Sequence, residues 1–239
     1  MTTPKPTIVL VHGAWHGSWC WERVTPLLEK RGLVVRAVDL PSVGARPGAD
    51  TDLSADAAEV ETVLDDLTGP VVLCGHSYGG MVISRVRPRG IAHLVYLCAF
   101  VPLEGQSLVT AGRGGRPASW IQMLDGGLMQ PDPSRADEVF YTDCDPATRE
   151  WAKSKLKPQA AAIMMEPIGR PTWRDVPSTY VVCVKDGALP VEVQRDVFVP
   201  RMTHTVELQA DHSPFLSQPD ALAEVLVQCA TRAASAQAG

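Results

Sequence analysis

The chain has 239 residues, 45% of them hydrophobic and 21% charged, which is the balance of a globular protein with a large core. A net charge of −5 provides no basic face, so nucleic acid is not an expected partner. No apolar stretch is long enough to span a bilayer, so no membrane role is expected.

Residues 7–11 form an apolar run, expected as a first buried strand, and are too few for a signal-peptide core. A turn over 12–17 follows, and Ser18 is expected to cap a helix through Trp21, Val24, Leu27 and Leu28. Gly32 closes that helix before a second strand over 33–38. Ser54 opens another helix, with Ala57, Val60, Val63, Leu64 and Leu67 on one face. Residues 71–74 read as a third buried strand, and the fourth lies within 91–100.

From 101 to about 177 the pattern loosens into short pieces punctuated by glycine, as at 112–117 and 125–127. A small helical cap inserted into one domain spanning 1–239 is expected. Strand character returns at 179–184 and about 203–208, then comes a helix over about 219–231 and a frayed tail from 233. Apolar strands alternating with helices predict an α/β fold: a mainly parallel, twisted sheet of about six strands with helices on both faces.

In such a sheet, reactive groups gather at the carboxyl ends of the strands. Gly75-His76-Ser77-Tyr78-Gly79 follows the third strand and matches the G-x-S-x-G turn that lifts a serine above a sheet. Acyl transfer then needs a base and an acid that orients it. His212 lies after the last strand and Asp186 after the penultimate one, in the chain order Ser…Asp…His. Asp211 adjoins the histidine and Asp175 precedes its strand, so Asp186 is the preferred acid. The backbone N–H groups of Tyr78 and Ala14 are the expected oxyanion donors.

The other histidines read differently. His93 and His204 lie within strands, and His76 is expected beneath the elbow. His12 and His16 straddle Gly13 rather than share a helical face, so no metal site is expected. The loop after the first strand lacks G-x-G-x-x-G, and Asp39 alone does not make a dinucleotide site, so no cofactor is expected. Six cysteines without C-x-x-C spacing suit a reduced, cytoplasmic protein.

Three stretches carry a resemblance: Leu10 to Trp21, Gly75 to Val82, and Asp211 to Phe215. The chain resembles the compact methylesterase and hydroxynitrile lyase-like α/β-hydrolases, which include plant salicylate-binding esterases. That resemblance implies Ser77, Asp186 and His212 as a triad, with Ala14 and Tyr78 as the oxyanion hole. It also implies hydrolysis of small carboxylic esters, no cofactor and, often, a homodimer. The segment between Ser77 and Ile91 is shorter than in bacterial relatives, and Cys98 stands where many of them have an acid.

Trp120, Met123, Leu124 and Met164 of the cap, with Phe215, are expected to receive an apolar or aromatic part of the substrate. Hydroxynitrile lyase-like carbon–carbon cleavage is the first alternative. The lyases carry a lysine and a threonine where this chain has Ser213 and Gly13. A receptor-like binding protein with slow hydrolysis is the second.

Overall fold

The computed structural model describes residues 6–49, 51–112 and 117–236. The first half runs through β1 (Thr7–Val11), a 3-10 turn (Ser18–Trp21), α1 (Thr25–Glu29), β2 (Val34–Val38), α2 (Leu53–Asp65), β3 (Val71–His76), α3 (Gly79–Arg85) and β4 (Ile91–Leu97). The inserted segment holds α4 (Leu108–Ala111), β5 (Ile121–Leu124), β6 (Leu128–Pro131), α5 (Ala136–Phe140), α6 (Pro146–Lys155) and β7 (Gln159–Ala160). The chain returns through β8 (Ser178–Cys183), α7 (Val191–Val193), β9 (His204–Leu208), α8 (Pro214–Ser217) and α9 (Pro219–Ala236).

The main sheet has six strands in the order β2-β1-β3-β4-β8-β9, and every pairing is parallel. β3 and β8 are buried along their whole length, as continuous apolar runs covered on both faces should be. The strand order reverses its direction of travel at β1 and β3. Loops diverge at such a switch point and leave a crevice beyond the strand ends. Val11 pairs with Gly75 and His76 with Leu97, so the loops after β1, β3 and β4 emerge side by side there.

Local differences from the sequence reading have physical causes. Ser18 does not cap a helix: its N–H and hydroxyl donate to the Asp39 carboxylate at 2.6 and 2.8 Å. The expected helix is therefore split into the 3-10 turn and α1, with Pro26 in the first turn of α1. Asp52, not Ser54, caps α2, accepting from the Ala55 N–H. The cap is not purely helical, since β5, β6 and β7 make a three-stranded antiparallel sheet. Its hairpin turns through Gly126 and Gly127, both at positive φ (70° and 74°), a conformation suited to glycine. α9 continues to Ala236, past the expected start of fraying at 233, while 237–239 and the stretch 113–116 lie outside the described residues.

Candidate active site

The turn after β3 holds Ser77 at φ 51°, a left-handed conformation uncommon for any residue but glycine. Close packing enforces it. A Cβ on Gly75 would stand 2.5 Å from the Gly79 carbonyl oxygen, and one on Gly79 would stand 2.8 Å from the carbonyl oxygens of Val11 and His12. The Ser77 N–H donates to Leu97 O, and its carbonyl accepts from Gly80 and Phe100. The serine side chain is thereby presented at the base of a cavity of about 300 Å³.

His212 and Asp186 leave the ends of β9 and β8, neighbours in the sheet. The His212 Nδ1–H donates to Asp186 Oδ2 at 2.8 Å, with both side chains almost wholly buried. Asp186 is itself held: its Oδ1 accepts from the N–H groups of Ala188 and Leu189, each at 2.8 Å, and Oδ2 also accepts from Gln194 Nε2 at 3.0 Å. With Nδ1 protonated, His212 Nε2 is left as the unprotonated ring nitrogen, and the ring shares the cavity wall with Ser77. Among the described residues the Ser77 hydroxyl has no hydrogen-bond partner, His212 included. Such contacts are commonly open before substrate binds and tighten in the reactive complex.

Asp211, the rejected neighbour, points elsewhere. Its carboxylate accepts from the backbone of Asp143 and Ser213 and from the Ser217 hydroxyl. Asp175 pairs with Arg170 on the surface.

Ala14 and Tyr78 also line the cavity, and neither N–H has a protein acceptor among the described residues. The peptide carrying the Ala14 N–H is fixed from behind, because His12 Nδ1–H donates to Gly13 O at 2.8 Å. His12 Nε2 accepts from the Leu40 N–H, and burial lowers the ring's pKa to about 4, so it stays neutral. His16 is likewise neutral, lowered by burial to about 3; its Nδ1–H donates to Ala14 O and its Nε2 accepts from the Tyr141 hydroxyl.

His76, expected beneath the elbow, is buried and also contributes to the cavity lining. Its Nε2–H donates to the His212 carbonyl at 2.8 Å, and Phe215 packs edge-on at 4.9 Å between ring centroids. Burial holds its pKa well below the usual value. His76, Cys98 and His212 could each offer one ligand atom within 4.8 Å of the others. Of their polar atoms, His76 Nε2 and Cys98 Sγ both donate to His212 O and His212 Nδ1 is held by Asp186, while His76 Nδ1 and His212 Nε2 have no protein partner among the described residues.

Trp120 and Met164 line the cavity, as do Phe100, Leu108, Phe140 and Leu189, which sequence reasoning did not single out. No lining side chain among the described residues carries a charged group of the Asp, Glu, Lys or Arg type. Met123, Leu124 and Phe215 are not part of the wall. Met123 is 61% exposed on the outer face of the β5–β6 hairpin, and Leu124 lies at the far end of β5. Phe215 is fully buried against Trp21 and His76, a support for the elbow instead of a surface for substrate.

Residues 8–225 match the family model described as the alpha/beta hydrolase family. The chain belongs to the α/β-hydrolase family. A carbendazim hydrolyzing esterase from Nocardioides sp. is 37% identical over 67% of this chain and 72% of its own length. Salicylic acid-binding protein 2 of Nicotiana tabacum is 31% identical, over 93% of this chain and 96% of its own. Among solved structures, a pyrethroid hydrolase from Sphingobium faniae superposes with a TM-score of 0.79 at 30% identity, covering 95% of this chain and 97% of its own. The relatives are esterases and hydrolases, and an ester hydrolase of the α/β-hydrolase type is the class this chain joins.

Proposed function

We propose that this enzyme hydrolyses small, neutral carboxylic esters through an acyl-enzyme on Ser77. The observation that carries the reading is the 2.8 Å His212–Asp186 bond beside a serine held at φ 51° in the same cavity wall. His212 Nε2 takes the Ser77 proton as the oxygen attacks the ester carbonyl. The N–H groups of Ala14 and Tyr78 receive the oxyanion. His212 then protonates the departing alcohol, and water repeats the sequence on the acyl-enzyme. Asp186 keeps the imidazole in the tautomer that leaves Nε2 free.

An apolar cavity of about 300 Å³ suits an alkyl or aryl ester with no charged substituent. Hydroxynitrile cleavage is disfavoured because no lysine faces the cavity among the described residues to stabilise a departing carbanion. A receptor role differs only in turnover. Six free, buried cysteines favour a reducing, cytoplasmic setting, and no helix among the described residues is long and apolar enough to cross a membrane. The homodimer implied by the family resemblance is read directly by sedimentation.

The test is fluorophosphonate labelling with turnover of a short-chain p-nitrophenyl ester. Ser77→Ala should abolish both, and native enzyme should release many equivalents of nitrophenol. Activity persisting in Ser77→Ala removes the assignment, and one equivalent per chain would favour the receptor.

A further inference from the structure

Both oxyanion donors belong to segments that carry strain or lack a local anchor. Ala14 precedes Trp15, which sits at φ 63°, and Tyr78 stands at the start of α3 without a side-chain cap. A hole that stabilises charge without reorganising must have its amides held in advance. The buried polar groups behind them supply a connected path.

The Tyr78 hydroxyl donates to Asp56 Oδ2 at 2.7 Å. Asp56, in α2, is wholly buried and also accepts from the Ser42 N–H (2.9 Å) and the Ser42 hydroxyl (2.6 Å). Ser42 Oγ accepts from Gln159 Nε2 at 2.8 Å, and Gln159 Oε1 accepts from the Trp15 N–H at 3.0 Å. Ser42 and Gln159 are fully buried as well. Every link runs the same way, from the two ends toward one acceptor-only carboxylate. The Trp15 N–H shares its peptide with the Ala14 carbonyl, which His16 Nδ1–H holds from the other side at 2.8 Å. That peptide plane is clamped at both edges.

We propose that Asp56, with Ser42 and Gln159, is a positioning relay that fixes both halves of the oxyanion hole, gripping the Tyr78 side chain at one end and the Trp15 amide at the other. The proposal rests on Ser77 as nucleophile and the Ala14 and Tyr78 amides as the hole. Asparagine at position 56 could keep an oxygen toward the Ser42 N–H, but its NH₂ would then face the Ser42 and Tyr78 hydroxyls, reversing both links and removing the charge that they now share. No cation pairs with Asp56 among the described residues, so these three hydrogen bonds are what hold the carboxylate. The relay also crosses from the main domain into the cap, since Gln159 lies in β7. The position of the cap thus enters the geometry of the hole.

A purely structural network would lower stability when cut and leave transition-state binding alone. The discriminating probe is an aryl trifluoromethyl ketone. Ser77 Oγ bonds to its carbonyl carbon, the π pair moves onto oxygen as an oxyanion, and the serine proton passes to His212. Its inhibition constant is to be measured with kcat, KM and Tm in Asp56→Asn, Gln159→Met and Tyr78→Phe.

The relay predicts that kcat falls about ten- to a hundredfold in each, part of what losing one oxyanion donor costs, with KM within about twofold. The inhibition constant should rise in parallel with the loss in kcat/KM. An unchanged inhibition constant in the folded variants overturns the proposal, whatever happens to Tm. Tyr78→Phe removes a single hydroxyl and decides the matter where Asp56→Asn does not fold. Failure of the underlying hydrolase reading would show differently, as activity surviving Ser77→Ala.

Discussion

Gly13 shows how little room the chemistry leaves at single positions. A Cβ there would stand 2.7 Å from His76 Nδ1 and 2.9 Å from Ser77 Cβ, closer than side chains tolerate. His76 cannot step aside, because its Nε2 is tied to the His212 carbonyl and Phe215 and Trp21 flank its ring. The loop carrying the Ala14 amide would have to lift off the elbow instead. Gly13→Ala should therefore lower kcat by about tenfold or more, since displacements near 1 Å at a reacting centre can cost a hundredfold. Steady-state kinetics beside a melting curve checks this, and a fully active Gly13→Ala would mean the loop is not positioned by that contact. The same geometry explains why this part of the site was legible in the sequence. Gly13, Gly75 and Gly79 must each be what they are because a Cβ would collide there, and such constraints leave a local pattern around Ser77.

The elements divide in the same manner. The four inner parallel strands β1, β3, β4 and β8 were legible because burial on both faces makes them nearly continuous apolar runs, whereas the edge strands β2 and β9 are largely exposed, and Asp186 and His212 followed from their places at strand ends. β5 was not, because Ile121-Gln122-Met123-Leu124 shows neither a β-branched run nor regular alternation, and its partner strands are equally short. Ser42, Asp56 and Gln159 were missed for another reason: polar residues read as surface unless their partners are known, and those partners lie up to 144 residues away. The same holds for Gln194, which orients Asp186 from a π-helical turn over Gln194–Phe198. Within the cap, Trp120 stacks edge-on against Trp15 (5.6 Å) and Phe140 (5.4 Å) and closes one side of the cavity. Trp120→Ala should enlarge that side and shift kcat/KM from acetate toward octanoate esters, by about tenfold for the apolar volume opened. A chain-length series of p-nitrophenyl esters measures it, and an unchanged preference would place the acyl group elsewhere.

At the scale of the whole molecule, the buried histidines tie stability to pH. Burial lowers His12 to about 4, His16 to about 3 and His93 to about 4, and holds His76 well below its usual value. Released by unfolding, each returns to about 6.5 and takes up a proton. The unfolded chain thus binds more protons between about pH 4 and 6.5, so stability from these groups is full above 6.5 and is lost as pH falls through that window. Asp56 works in the opposite sense. Burial raises it to about 6, so its native form holds a proton that the unfolded form releases between about 3.8 and 6, and its contribution falls as pH rises. Asp211, also raised by burial, acts in the same direction as Asp56. Four histidines against two carboxylates leave a net uptake on unfolding. Each histidine forfeits at most about 2 kcal/mol between pH 6.5 and 5, large beside a total stability of roughly 5–15 kcal/mol. Urea unfolding at pH 7, 6 and 5 should therefore show stability dropping by several kcal/mol, on the order of half the total, with m unchanged. A flat profile would mean that these rings are already open to protons in the native fold, and the neutral forms of His12 and His16 that donate to the Gly13 and Ala14 carbonyls would have to be reassigned.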